Sequence, residues 1–186
     1  MNQSPKLIII MGLPATGKTT LSEKVSTNFE LPLISRDEIK VQIMNKVGWG
    51  DREWSKKVGQ ASYSLLDYAT KQFSRSKSSF ILESDFAPEF ANEKFNHLHQ
   101  QGYDIVQIIC SANNDVILDR WKKRAAKDSS HPSSTEGKQG LNELLEAISK
   151  GQRQPLDVPS KIIYVNTSDN KDPEHLNVIS QLETLL

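Results

Sequence analysis

Residues 7–25 read LIIIMGLPATGKTTLSEKV, and the fold turns on how this stretch is divided. Five apolar residues ended by Gly12 predict a strand buried on both faces, as in the middle of a parallel sheet. Further on, Leu21, Val25 and Phe29 recur at fourfold spacing, which predicts an amphipathic helix of about three turns. Between them Gly12, four residues, Gly17, Lys18 and Thr19 satisfy the phosphate-binding P-loop pattern. The pattern lies between a strand and a helix, as it must. A glycine turn that only joins the two elements is the plain alternative.

The spacing has a chemical reason. Small or flexible residues let successive backbone N–H groups curve round a phosphate, and the helix N-terminus adds its positive end. Gly12, Leu13, Pro14, Ala15, Thr16, Gly17, Lys18, Thr19 and Thr20 are therefore expected to bind ATP. Lys18 is expected to reach the β and γ phosphates and stabilise the transferred charge, and the Thr19 hydroxyl to coordinate Mg²⁺. Thr20 is expected to add a hydroxyl toward the α phosphate.

Outward from this stretch the chain alternates. Short apolar runs at LPLIS, SFILES, YDIVQIICS and KIIYVNTS predict four more strands. Helical spacing is predicted for RDEIKVQIMNKV, for residues 51–77, for PEFANEKFNHLHQ, for 113–127, for LNELLEAISK and for 173–186. In the long segment Trp54, Val58, Ala61, Leu65, Tyr68 and Phe73 are expected to form the inward face, and Ile39, Ile43 and Val47 that of the segment before it. Such alternation points to a layered α/β fold with a largely parallel sheet. Residues 128–140, DSSHPSSTEGKQG, are poor in apolar groups and are expected to form a mobile loop; with the arginines before them they make a lid over about 120–140.

Ligands of parallel sheets gather at the strand ends, so the other chemistry is sought there. Asp37 follows the second strand in ISRDEIK, placed either as general base for an acceptor hydroxyl or, with Ser35, as an ordinary helix cap. The third strand ends FILESDF, where Glu83 is the first choice for the metal and Asp85 the second; alternatively Ser84 or Asp85 caps the next helix. Arg120 and Arg124, four apart, are expected to close from the lid on the transferring phosphoryl group, or else to belong to a solvated basic face with Lys122, Lys123 and Lys127. The acceptor is sought near Asp37, Lys40 and residues 48–57, where Trp49 and Trp54 could stack on a ring, although core packing is the expectation for Trp54.

Bulk composition sets bounds. The 186 residues suit one domain, residues 1–186. Twenty-three basic and 23 acidic residues cancel, which gives no field for drawing in nucleic acid or an anionic membrane. No apolar run approaches the roughly 18 residues a membrane helix needs, and MNQSPK has no signal-peptide character, so a cytoplasmic location is expected. The single cysteine, Cys110, reads as a buried small hydrophobe.

GLPATGKTT, SRDEIK, ILESDF, DRWKKR and the late IIYVNTS together resemble the small single-domain P-loop kinases related to polynucleotide 5′-hydroxyl kinase, chloramphenicol phosphotransferase and the zeta toxins. The resemblance implies five parallel strands with the P-loop strand in the middle, helices on both faces, and phosphoryl transfer to a hydroxyl. It matches Asp37 to the residue that activates the acceptor and Lys40 to a basic residue that holds it, and it leaves the metal role open to Asp85, which is otherwise expected to bind the acceptor. The expected activity is transfer from ATP to a small molecule, with Mg²⁺. A polynucleotide 5′-hydroxyl kinase, a zeta-type toxin, and an ATP-binding switch or hydrolase acting on a partner protein are the alternatives.

Overall fold

The computed structural model describes residues 4–127, 137–169 and 172–185. Its centre is β1 (Lys6–Met11), whose side chains alternate between the two faces of a sheet. Leu7, Ile9 and Met11 pack with Leu66, Phe80, Leu82, Phe95 and Tyr103, while Ile8 and Ile10 pack with Leu21, Val25, Val178 and Leu182. All five residues from Leu7 to Met11 are buried, which is why the run shows no polar alternation. Each such side chain contributes roughly 1.5–3 kcal/mol by burial.

Around β1 lie β2 (Leu33–Ser35), β3 (Phe80–Glu83), β4 (Asp104–Ser111) and β5 (Lys161–Asn166), in the spatial order β2-β3-β1-β4-β5. Every pairing is parallel. Among the described residues seven helices cover the sheet: α1 (Lys18–Phe29), α2 (Arg36–Val47), α3 (Arg52–Ser76), α4 (Pro88–Gln100), α5 (Asn114–Lys127), α6 (Gly137–Ser149) and α7 (Asp172–Glu183). This is the P-loop NTPase architecture, with β1 in the middle. None of these helices is long and apolar enough to cross a membrane.

Two helices bury only part of the face expected: Val58, Phe73 and Ile39 pack inward, but several of the others do not. In α3 the inward residues are Ser55, Val58, Gly59, Ser62, Leu66 and Thr70, while Ala61, Leu65 and Tyr68 point outward. Small residues leave room on that face, where the Arg36 side chain of α2 lies over Gly59. Trp54 is also exposed, its indole Nε1 donating to Gly48 O at 2.9 Å, so it is not the core residue expected. In α2 the buried residues are Lys40 and Met44, and Val47 faces solvent. The loop expected over 128–140 is shorter than its composition suggested, since 137–140 form the first turn of α6; residues 128–136, His131 among them, lie outside the described residues.

Candidate active site

The register of the sheet assembles the site. Ile10 of β1 stands level with Glu83 of β3, and Glu83 with Ser35 of β2, so three strand ends meet where the P-loop leaves β1. Gly12 is obligatory at that exit: a Cβ there would lie 2.2 Å from Cys110 O on β4. Gly17 caps α1 with φ 80° and offers no side-chain cap, which leaves the first N–H groups of the helix for a ligand. Thr16 Oγ1 donates to Leu13 O (2.7 Å) and Lys18 Nζ to the same oxygen (3.0 Å), holding the loop curled around its own lysine. Thr19 lines the cleft that opens in front of the loop.

Glu83, at the end of β3 and level with the cleft-lining Ser35, is 1 % exposed. Its Oε2 accepts from Ser35 Oγ, whereas Oε1 is buried and has no hydrogen-bond partner among the described residues. Burial pushes this carboxyl above its usual range, Asp37 adds to the effect, and Lys18, the Ser35 hydrogen bond and Arg124 counter it. A buried carboxylate oxygen without a donor, beside the lysine and threonine of a P-loop, has the chemistry of a hard-cation ligand and fits Mg²⁺.

Asp37 lies in the first turn of α2. The cap of that helix is Ser35, which accepts from Glu38 N (3.3 Å), so capping does not occupy Asp37. Its side chain is 58 % exposed to the cleft, yet protein surrounds it closely enough to oppose ionisation. Arg36, which donates to Asp37 Oδ1 at 2.7 Å, and the nearby Lys18 and Lys40 outweigh that desolvation and hold the carboxyl below its usual range. A carboxylate near the P-loop lysine, ionised and open to solvent, is in the position a proton acceptor needs.

The two arginines of α5 sit differently. Arg124 lines the cleft, where the charges of Asp37 and Glu83 act on it, although burial and Arg120 pull its pKa down. Arg120 is turned to the P-loop backbone: it donates to Ala15 O (3.3 Å), Thr167 Oγ1 (3.0 Å) and Thr167 O (2.5 Å). Thr167 Oγ1 in turn donates to Thr16 O at 2.8 Å. Arg120 and Thr167 thus tie the P-loop to the end of β5.

Asp85 is fully engaged. Arg153 Nε and Nη2 donate to its two oxygens at 2.5 and 2.6 Å, and Tyr63 Oη donates to its carbonyl at 3.0 Å. Neither Ser84 nor Asp85 caps α4; the cap position is Ala87. The cleft, ≈ 760 Å³, continues past Asp37 and Lys40 to Arg52, Ser55, Gly59 and Tyr63 of α3 and to Glu143 of α6. Arg52 pairs with Glu143 across it. Such a volume suits a triphosphate tail and one small acceptor. An apolar groove of ≈ 550 Å³ along β2 and α2 holds no P-loop residue.

Residues 7–144 match the AAA_33 family model, described as an AAA domain. The chain belongs to this family. In structure it is similar to a candidate kinase from Chloroflexus aurantiacus J-10-fl, 32 % identical, with 99 % of this chain and 100 % of that one covered and a TM-score of 0.89. It also shares its fold with a gluconokinase from Sinorhizobium meliloti 1021 (16 % identity, 99 % and 97 % covered, TM-score 0.57). Kti12 from Chaetomium thermophilum, in complex with ADP-AlF3, is a further fold match (15 % identity, 96 % and 97 % covered, TM-score 0.62). A search of curated protein sequences finds no match. The family membership and the P-loop together make this a P-loop kinase-like, nucleotide-binding domain.

Within this family member, sequence reasoning missed Arg36, Tyr63 and Arg153. Tyr63 and Arg153 sit on segments that carry no motif, and Arg36 was overshadowed by its neighbour Asp37. Arg153 is placed by a buried glutamine: Gln107 of β4 donates from Nε2 to Leu156 O (3.1 Å) and accepts from Leu156 N (2.8 Å), fixing the strap that leads from Arg153 to β5. A glutamine inside an otherwise apolar strand was the available signal.

Proposed function

We propose that this protein is an ATP- and Mg²⁺-dependent kinase that transfers the γ-phosphoryl group to a hydroxyl of a small molecule. The observation that carries the reading is the placement of Asp37: ionised, open to the cleft, free of capping duty and close enough to Lys18 for their charges to couple. A nucleotide switch has no use for such a carboxylate, whereas a kinase needs it. Asp37 accepts the proton of the acceptor hydroxyl as that oxygen bonds the γ-phosphorus and ADP leaves with the former bridging oxygen.

Residues Gly12 to Thr20 hold the phosphates, and Lys18 swings from Leu13 O toward the transferred group. Thr19 and the unpartnered Oε1 of Glu83 would hold the metal, which would supply neutralisation of phosphate charge. Arg124 closes on the developing charge. Arg120 braces the P-loop through Ala15 and Thr167 and reaches the nucleotide only from that position. Lys40 and the pair Asp85–Arg153 line or support the acceptor end.

The test is ADP release by the purified protein with ATP and Mg²⁺, alone and with sugars, hydroxy acids, nucleosides, phenicol antibiotics and 5′-hydroxyl oligonucleotides. Stimulation by one small-molecule class supports the proposal. Stimulation by oligonucleotides alone replaces it with a polynucleotide acceptor, and equal turnover throughout replaces it with a hydrolase.

A further inference from the structure

Arg36 is placed in a way that holding Asp37 does not explain. Its guanidinium lies 4.8 Å from the centre of the Tyr63 ring, and Nη2 occupies the space over Gly59 of α3, where a Cβ would come within 2.7 Å of it. The group is fixed in a slot on the cleft wall beside the proposed base. Yet among the described residues its side chain makes one hydrogen bond, Nη1 to Asp37 Oδ1, and its Nε is buried without a partner. A guanidinium carries five donors in a rigid fork, and its unmet donors in a protein-lined site mark a place made for an acceptor group. Arg36 contributes most to holding Asp37 ionised, with Lys18 and Lys40 adding to it, and it makes that contact through a single donor.

The other charges of this wall point the same way. Asp85 has both oxygens covered by Arg153, and Glu143 is paired with Arg52. Glu23 and Glu38 belong to the exposed rim. Apart from Asp37 and Glu83, which the kinase reading assigns to the proton and the metal, the inner acids are matched by arginines and offer little to a cationic acceptor. Arg36 offers fork geometry that fits a carboxylate or a phosphate.

We infer that the acceptor is a small anionic alcohol, a hydroxy acid or a phosphorylated polyol, and that Arg36, stacked on Tyr63 and seated over Gly59, is the residue that takes its anionic group while Asp37 takes its hydroxyl. This rests on the kinase reading and narrows its substrate class. A short acceptor is required, because Arg36 and Asp37 are hydrogen-bonded neighbours. Binding the anion draws the guanidinium away from Asp37, so a neutral polyol would leave the base paired and be a poorer substrate.

Binding is measured by calorimetry in the presence of ADP, with matched probes: D-glycerate against glycerol, and D-gluconate and glucose 6-phosphate against glucose. The carboxylate and phosphate arms tell the two anions apart. At least one anionic probe should bind about tenfold or more tightly than its neutral counterpart, and Arg36→Gln should remove that preference while ADP affinity confirms the fold. Gly59→Ala, which displaces the guanidinium without removing it, should weaken the same probe. Asp37→Asn should abolish transfer to the preferred probe and spare its binding. Anion binding without any transfer, in the wild type, would sink the kinase reading and leave Arg36 as an anion site. Transfer to neutral probes as good as to anionic ones, or anion binding unchanged in Arg36→Gln, would sink this inference and leave the kinase. If no anionic probe binds better than its neutral partner, the inference is likewise overturned.

Discussion

Ser35 Oγ donates to Glu83 Oε2 across the β2–β3 boundary, while the other oxygen of Glu83 has no donor among the described residues. One hydroxyl thus carries the hydrogen bonding of a carboxylate that is 1 % exposed, and the same hydroxyl oxygen caps α2.

Ser35→Ala removes both contacts and should destabilise the nucleotide-free protein by roughly 1–3 kcal/mol at pH 7, read from urea unfolding. The pH dependence of the wild type has a definite sign. Burial raises the folded-state pKa of Glu83 above 4.5, so between 4.5 and that raised value the folded chain binds more protons than the unfolded one. Through this group stability therefore rises as pH falls toward 4.5, and its cost is fully present above the raised value. Glu83→Gln should flatten that trend and be less damaging to stability than Ser35→Ala. A variant that keeps the trend would show that another group titrates.

The two arginines of α5 should separate kinetically. Arg120→Ala unties Ala15 from Thr167 and should weaken ATP binding by about tenfold, the worth of one or two charge-assisted hydrogen bonds. Arg124→Ala should leave ATP affinity nearly intact and lower kcat by about 10²–10³-fold, the usual loss when a charge-stabilising donor is removed. Nucleotide titration alongside single-turnover transfer distinguishes them, and equal effects of the two variants on both quantities would contradict the division.

Gly12→Ala forces a Cβ to within 2.2 Å of Cys110 O, a backbone atom that cannot move without shifting β4. The variant should lose several kcal/mol of stability or fail to accumulate folded, as monitored by thermal unfolding. Cys110 itself is inert: burial pushes its thiol up to about 12, so iodoacetamide should not label the folded protein at pH 8.

Arg153 and Asp85 form a two-point pair behind the proposed acceptor end. Asp85→Asn and Arg153→Gln should each raise the acceptor KM with little change in ATP affinity. Because the side chains are about a third exposed, a double-mutant cycle should return a modest coupling of about 0.5–2 kcal/mol. Additive effects would mean that the pair does not act as a unit.

Much of this architecture could be read before the structure, because its strongest signals are local. The run from Leu7 to Met11, the glycines at 12 and 17, and Pro88 at the start of α4 each obey a backbone rule that tertiary context does not override. What failed were the faces of α2 and α3. Hydrophobic spacing assigned Ala61, Leu65 and Tyr68 to the core, but the buried face includes Ser55, Gly59 and Ser62, small residues that a count of apolar positions does not register. The candidate site divides the same way. Asp37 and Glu83 follow apolar runs and were visible, whereas the partners of Asp85 and Arg120 are 68 and 47 residues distant in sequence. No spacing rule reaches that far.

The central claim is that Asp37 is the base of a phosphoryl transfer. The most direct measurement is single-turnover transfer by Asp37→Asn, with ATP affinity determined on the same preparation. The substitution keeps size and shape and removes the charge. A loss of transfer by several orders of magnitude, at an ATP affinity close to wild type, is the result expected of a kinase. Transfer or ATP turnover that persists near the wild-type rate would contradict it, and would return the protein to a nucleotide-binding switch or hydrolase.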